Sequence, residues 1–380
     1  MIQVILISLL LVGCTTTDRV LDQWSLLNSE KRHFSIRKVW VRSPLSQPNE
    51  GFRKINRMTP VLAGDLLITG NAIEGIVAYE RETGHKKWTF AVENGVEPSA
   101  TIIKDRLFVG ASDGYFYSLE ASTGALQWKF ATKAENLSEP LLQDGVVYFI
   151  AGNNVLFALD ASSGKQVWLH SRQDTSTLSV RGGSKPSYKD GKIYAGFSDG
   201  SVMAFDASNG NVVWEALLNK NKRFRDIDAS PVVDGDYLYV GGYDDKLYCL
   251  SRNNGDLLWK LDGGSYSALT VTADRLYYST TEGEVWALQK DNGNRIWSHK
   301  VKYGIPTQAQ VFKGSLVFGE SQGSLVFLDL ATGKHIGHFE PGRGILAKPL
   351  IVEPENRVYF ISGEANVYAI EAQWNKGVRR

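Results

Sequence analysis

The stretch Leu119-Glu120-Ala121-Ser122-Thr123-Gly124-Ala125-Leu126-Gln127-Trp128 decides how this chain is read. It returns as Leu159-Asp160-Ala161-Ser162-Ser163-Gly164 with Trp168, and as Phe205-Asp206-Ala207-Ser208-Asn209-Gly210 with Trp214. An earlier copy is Tyr79-Glu80-Arg81-Glu82-Thr83-Gly84 with Trp88; later ones are Asn254-Gly255 with Trp259 and Asn292-Gly293 with Trp297. In every copy the Trp follows the Gly by four residues. Thr332-Gly333 keeps the frame, but Gly337 stands where the aromatic belongs. From Trp88 onward, successive repeat tryptophans lie 40, 40, 46, 45 and 38 residues apart, a period typical of propellers and other repeat architectures.

Residues 140–168 define the unit. Segments 141–142, 146–151, 155–159 and 165–170 read as four strands, separated by Asp144-Gly145, Gly152-Asn153-Asn154 and Ser163-Gly164. Such pairs suit tight hairpins because Gly, Asn and Asp reach positive φ at low cost. Four antiparallel strands joined by three turns make one propeller blade. The same turns recur as Asp190-Gly191, Asp199-Gly200 and Asn209-Gly210, then as Asp234-Gly235, Asp244-Asp245 and Asn254-Gly255. Second strands centred near Leu66, Leu107, Val146, Ile193, Leu238, Leu276, Leu316 and Val358 give eight bodies. The class is therefore all-β, an eight-bladed β-propeller of four-stranded antiparallel blades. The last body, ending at 367–371, has no Gly-x-x-x-Trp strand after it, and residues 37–42 at the start of the chain supply the missing one. That strand closes the ring. The repeated Trp is read as packing between blades, and Cys249 as a small buried residue where other repeats place Ala78, Ala158, Ala204 and Ala287.

Residues 2–12 are mostly apolar and too short to span a bilayer, as in a signal-peptide core. They run into Leu11-Val12-Gly13-Cys14, which resembles a bacterial lipobox, although Met1-Ile2-Gln3 lacks the usual basic residue. The resemblance implies removal of residues 1–13, lipidation of Cys14, and a tether over 14–37 leading to a propeller over 38–380. Thr15 after the Cys implies the outer membrane, and several acyl chains on one cysteine anchor stably where one is marginal.

A net charge of +1 offers no basic field for nucleic acid. His335 and His338, three apart on a strand, are expected on opposite faces, so no metal site is expected. No Gly-rich phosphate loop occurs.

The Ala-x-Asp-x-x-Thr-Gly-x-x-x-Trp unit resembles the repeat of pyrroloquinoline quinone (PQQ) propellers. With the lipobox and eight units, nearly the whole chain is similar to the BamB family, lipoprotein scaffolds of the BAM machinery that assembles β-barrels in the outer membrane. Leu178-Ser179-Val180-Arg181-Gly182 resembles the segment by which that family binds BamA, and 223–231 resembles the acidic segment beside it. The resemblance implies no cofactor and no catalytic residue, with the periplasmic POTRA repeats of BamA and other BAM subunits as partners, and unfolded barrel precursors as clients. It assigns Leu178, Val180, Arg181, Asp226 and Asp228 to BamA. Spacing agrees: Arg181 lies five residues before Pro186 and Asp226 five before Pro231, with Asp228 three before the same proline. Those positions fall on neighbouring loops of one face. Two rivals stand beside this reading. One is an adaptor for another envelope complex. The other is a quinoprotein-like enzyme, which would need converging oxygen ligands for calcium; the chain has no Cys-Cys pair and its acidic residues sit mainly in hairpin turns.

Overall fold

Short alternating segments punctuated by Asn, Asp and Gly fold here as expected. The computed structural model describes residues 33–44, 56–172, 183–219, 225–243 and 246–375. Its main body is Ile36–Glu371; a second small unit holds the chain ends, where Phe34 meets Trp374 edge to face at 5.1 Å between centroids. The described residues form eight four-stranded antiparallel sheets. The one helical element among them is a 3-10 turn at Glu353–Glu355. Counting blades in chain order, blade 1 occupies 61–90, blade 2 101–131, blade 3 141–171 and blade 4 187–217. Blade 5 occupies 232–262, blade 6 270–300 and blade 7 310–339. Blade 8 takes Leu350–Val352, Arg357–Ile361 and Val367–Asn375, and its fourth strand is His33–Arg42 from the start of the chain. That strand begins upstream of the 37–42 stretch that marks it in the sequence.

Burial follows position in the blade. In blade 3 the middle strands, Val146–Ala151 and Val155–Asp160, are buried almost throughout, because neighbouring blades cover both faces. The fourth strand, Gln166–Ser171, is exposed except at Trp168 and His170. The core accordingly lies between blades: Tyr148, Ile150 and Leu156 of blade 3 cluster with Ile193, Ala195 and Phe205 of blade 4.

The Gly-x-x-x-Trp motif has a direct structural cause. The indole of each blade lies against the motif glycine of the next. A Cβ built on Gly84, Gly124, Gly164, Gly210, Gly255, Gly293 or Gly333 would stand 2.5–2.9 Å from the ring of Trp40, Trp88, Trp128, Trp168, Trp214, Trp259 or Trp297, respectively. In five of these seams the indole N–H also donates to a backbone carbonyl of the next blade, as Trp168 Nε1 does to Ala207 O at 3.0 Å. Gly337 is explained by the same geometry. Blade 8 takes its fourth strand from the chain start, so no turn glycine precedes it and blade 7 has no shelf on which to seat an indole.

Each of the first seven blades carries a β-bulge between its third and fourth strands. In blade 3 Ala158 pairs with Trp168 but Leu159 pairs with Gln166, leaving Val167 as the extra residue. Such a bulge resets which face a side chain takes. It overturns the expectation for His335 and His338: Ile336 is the extra residue in blade 7, and the two imidazoles lie 5.4 Å apart between centroids.

Cys249 sits fully buried against blade 6, and burial pushes its thiol up to about 12. Because the thiolate is the reactive form, Cys249 should resist alkylation in the folded protein and react only on unfolding. Peptide mass spectrometry after iodoacetamide treatment, with and without urea, checks this; rapid native labelling at Cys249 contradicts it.

Candidate functional site

The inner strands of neighbouring blades contact one another, so the residues leading into them converge at the ring centre. There they line a cavity of about 440 Å³. Prolines mark the approach. Thr59-Pro60, Glu139-Pro140, Lys185-Pro186, Ser230-Pro231 and Lys348-Pro349 each stand just before a first strand, and the residue preceding each Pro lines the cavity. Proline suits this place because a strand's first residue and free edge tolerate a missing N–H, and it biases the preceding residue to extended backbone.

Two places further upstream lie Arg57, Glu97 and Asp228, which also line the cavity. Arg57 Nη2 pairs with Glu97 Oε2 at 3.1 Å. Asp228 is the expected site residue that the structure places in this wall. Burial, then the neighbouring Asp226 charge, push its carboxyl up to about 7, while the Arg57 guanidinium acts in the opposite sense. Asp226 is fully buried. Its backbone carbonyl accepts from the Tyr243 N–H at 3.1 Å, and the next residue, Ile227, donates its N–H to Phe197 O at 3.1 Å. The segment is thereby stitched to blade 4 on one side and blade 5 on the other. Leu178, Val180, Arg181 and Cys14 lie outside the described residues, as does the Asp244-Asp245 turn.

Asp228 has a sign that can be tested. Its folded pKa is raised, so between roughly pH 4 and 7 the native state holds a proton that the unfolded chain has lost. Stability from this group is present at low pH and is lost as pH rises through that window. Asp228→Asn should therefore match wild type near pH 4 and be more stable by about 1–4 kcal/mol at pH 8. Urea unfolding at the two pH values checks this; an equal difference at both contradicts it.

Sequence reasoning missed Glu139, Lys185 and Lys348. Lys185 Nζ lies 2.5 Å from Glu139 Oε1 and Lys348 Nζ 3.5 Å from Oε2. Burial pushes the Glu139 carboxyl up, but Lys348 and Lys185 outweigh it and hold the group below its usual range. The available signal was the repeated X-Pro, whose X is a charged residue in three blades.

A calcium-dependent quinone site would require several free converging oxygens. The acidic groups of this cavity do not fit that demand, since Glu97 is paired with Arg57, Glu139 is held by two lysines and Asp228 is driven toward its neutral form. Among the described residues, no three His, Cys, Asp or Glu side chains are grouped so as to hold a metal ion.

The family model described as outer membrane protein assembly factor BamB matches residues 74–299 and 233–379. The BamB of Yersinia pestis is 27% identical over 381 residues, covering 95% of each chain. The crystal structure of BamB from Moraxella catarrhalis superposes with a TM-score of 0.75 at 23% identity, covering 89% of this chain and all of that one. A europium-containing methanol dehydrogenase shares the fold with a TM-score of 0.74 at 13% identity, over 91% of this chain and 94% of its own. The architecture alone therefore does not choose between a scaffold and an enzyme. The family model spans most of the propeller: this chain belongs to the BamB family of outer membrane protein assembly factors.

Proposed function

We propose that this protein is a non-enzymatic lipoprotein of the outer-membrane β-barrel assembly machinery, anchored through Cys14 at the periplasmic face and binding the POTRA repeats of BamA. The observation that carries the reading is the family match over residues 74–379. Residues 1–13 serve as the signal peptide, and the tether that follows holds the ring near the membrane. A propeller suits the role because a rigid ring presents loops from several blades at once.

The proposed BamA surface is built from Leu178, Val180 and Arg181 together with the 226–228 segment. Apolar side chains beside an ordered charged cluster form the kind of patch in which binding energy concentrates. Asp226, having no exposed surface, acts from within by fixing the segment; Asp228 supplies the more exposed carboxyl. Co-purification of BamA with the native lipoprotein tests the proposal, using Arg181→Ala and Asp228→Ala as variants and circular dichroism to verify folding. BamA recovered by wild type and lost by a folded variant supports role and site together. Recovery by all three moves the site elsewhere, and a different envelope complex recovered without BamA rejects the role.

A further inference from the structure

The centre of the ring carries an arrangement that a docking role leaves unused. Glu139 of blade 3 accepts from Lys185 of blade 4 and from Lys348 of blade 8, so two ammonium groups share one carboxylate. Both lysine side chains are about one-third exposed, at 34% and 31%, and both line the cavity. An ammonium has three N–H donors, and among the described residues each of these lysines has Glu139 as its one ion-pair partner. Donors are left over, and so is one positive charge. Elsewhere in the wall the Arg57–Glu97 pair is neutral as a unit, and Leu137, Ile305 and Leu346 add apolar surface.

We propose that this central cavity binds a small organic monoanion, a carboxylate with an apolar or aromatic body, whose charge is seated on Lys185 and Lys348. The excess of one charge selects a monoanion, since a phosphate dianion would leave an uncompensated charge in a partly apolar site. The volume selects an organic molecule over a bare halide, because ligand pockets of roughly 300–1,000 Å³ accommodate drug-sized bodies. Asp228 tunes the site. Below neutral pH its carboxyl is uncharged and the wall is net positive; above it, a second carboxylate offsets the lysine excess. The charged groups acting on it are Asp226 on its own segment and Arg57, whose ion-pair partner is Glu97; Tyr243 and Tyr266 line the same cavity. Affinity for the anion should fall several-fold as pH rises from 6 to 8.

Calorimetric titration of the full, detergent-solubilised lipoprotein with benzoate tests this, with benzamide and inorganic phosphate as comparators. The expected result is saturable benzoate binding, little or none with benzamide, and a loss of about tenfold or more in Lys185→Gln and Lys348→Gln, since each removes a charge-assisted contact. No saturable benzoate binding, equal binding of benzamide, tighter binding of phosphate, or unchanged affinity in both folded variants would overturn the assignment. Should the variants fail to fold, 4-iodobenzoate soaked into crystals of the unaltered protein gives an independent reading. An iodine anomalous peak inside the cavity, with the carboxylate at the two lysine nitrogens, supports the site, and peaks confined to other places overturn it.

Discussion

Trp168→Ala should destabilise the propeller by about 3–5 kcal/mol, the usual cost of truncating a buried aromatic. The indole is 7% exposed, packs between Tyr148 and Phe205, and donates to Ala207 O across the blade boundary. Its partner Gly210 is under two constraints. The residue has a φ of +75°, and an added Cβ would meet Trp168 Cδ2 at 2.7 Å. Gly210→Ala should therefore cost both a left-handed backbone penalty of about 1–2 kcal/mol and the displacement of the ring. In a Trp168→Ala background the second cost disappears and only the backbone penalty remains. Urea unfolding of the four proteins in a double-mutant cycle measures the difference. Additive effects would show that the ring and the glycine do not depend on each other.

Trp168 and Gly210 also mark how far the sequence could be read. The motif gave the blade count, the turn positions and the closing strand, because a one-residue shift in any strand would turn its side chains to the wrong face. It did not give the reason for the Gly-x-x-x-Trp spacing. The glycine serves the indole of the preceding blade, not the Trp four residues after it, and a contact between repeats is invisible within one repeat. The bulge at Ile336 was missed for a related reason: the inserted residue is defined by its partner strand, so His335 and His338 read as opposed until the pairing is known. The cavity charges were hidden differently. Glu139, Lys185 and Lys348 are far apart in sequence, and only ring closure brings blade 8 within reach of blade 3.

Deleting residues 1–42 should have the largest effect of any change considered. The loss removes the fourth strand of blade 8 and with it the seam to blade 1. Trp40 there is 6% exposed, its ring centroid 6.3 Å from Tyr79 and 6.1 Å from Tyr359. Arg42 Nε donates to Gly84 O at 2.9 Å and Trp40 Nε1 to Arg81 O at 3.0 Å, while Arg37 pairs with Glu371 at 2.5 Å. The exposed salt bridge contributes about 0–1 kcal/mol; the indole and the strand ladder dominate. Losing them removes on the order of 5–10 kcal/mol, comparable to the whole stability of a typical domain. It also leaves an open sheet edge that invites aggregation. Calorimetry should show no cooperative transition in the truncated protein, whereas removal of residues 1–32 alone should leave one. A sharp transition near the wild-type temperature after deletion of 1–42 would contradict closure by this strand.

We propose that residues 178–181, together with the 226–228 segment, seat BamA. In-cell photo-crosslinking reads this directly, with p-benzoylphenylalanine placed at Val180 in one strain and at Val213 in another. Val213 is 46% exposed on the outer strand of blade 4 and serves as the comparison position. A BamA adduct is expected from position 180 and none from 213. An adduct from 213 with none from 180 would contradict this and place the interface on the rim of the ring.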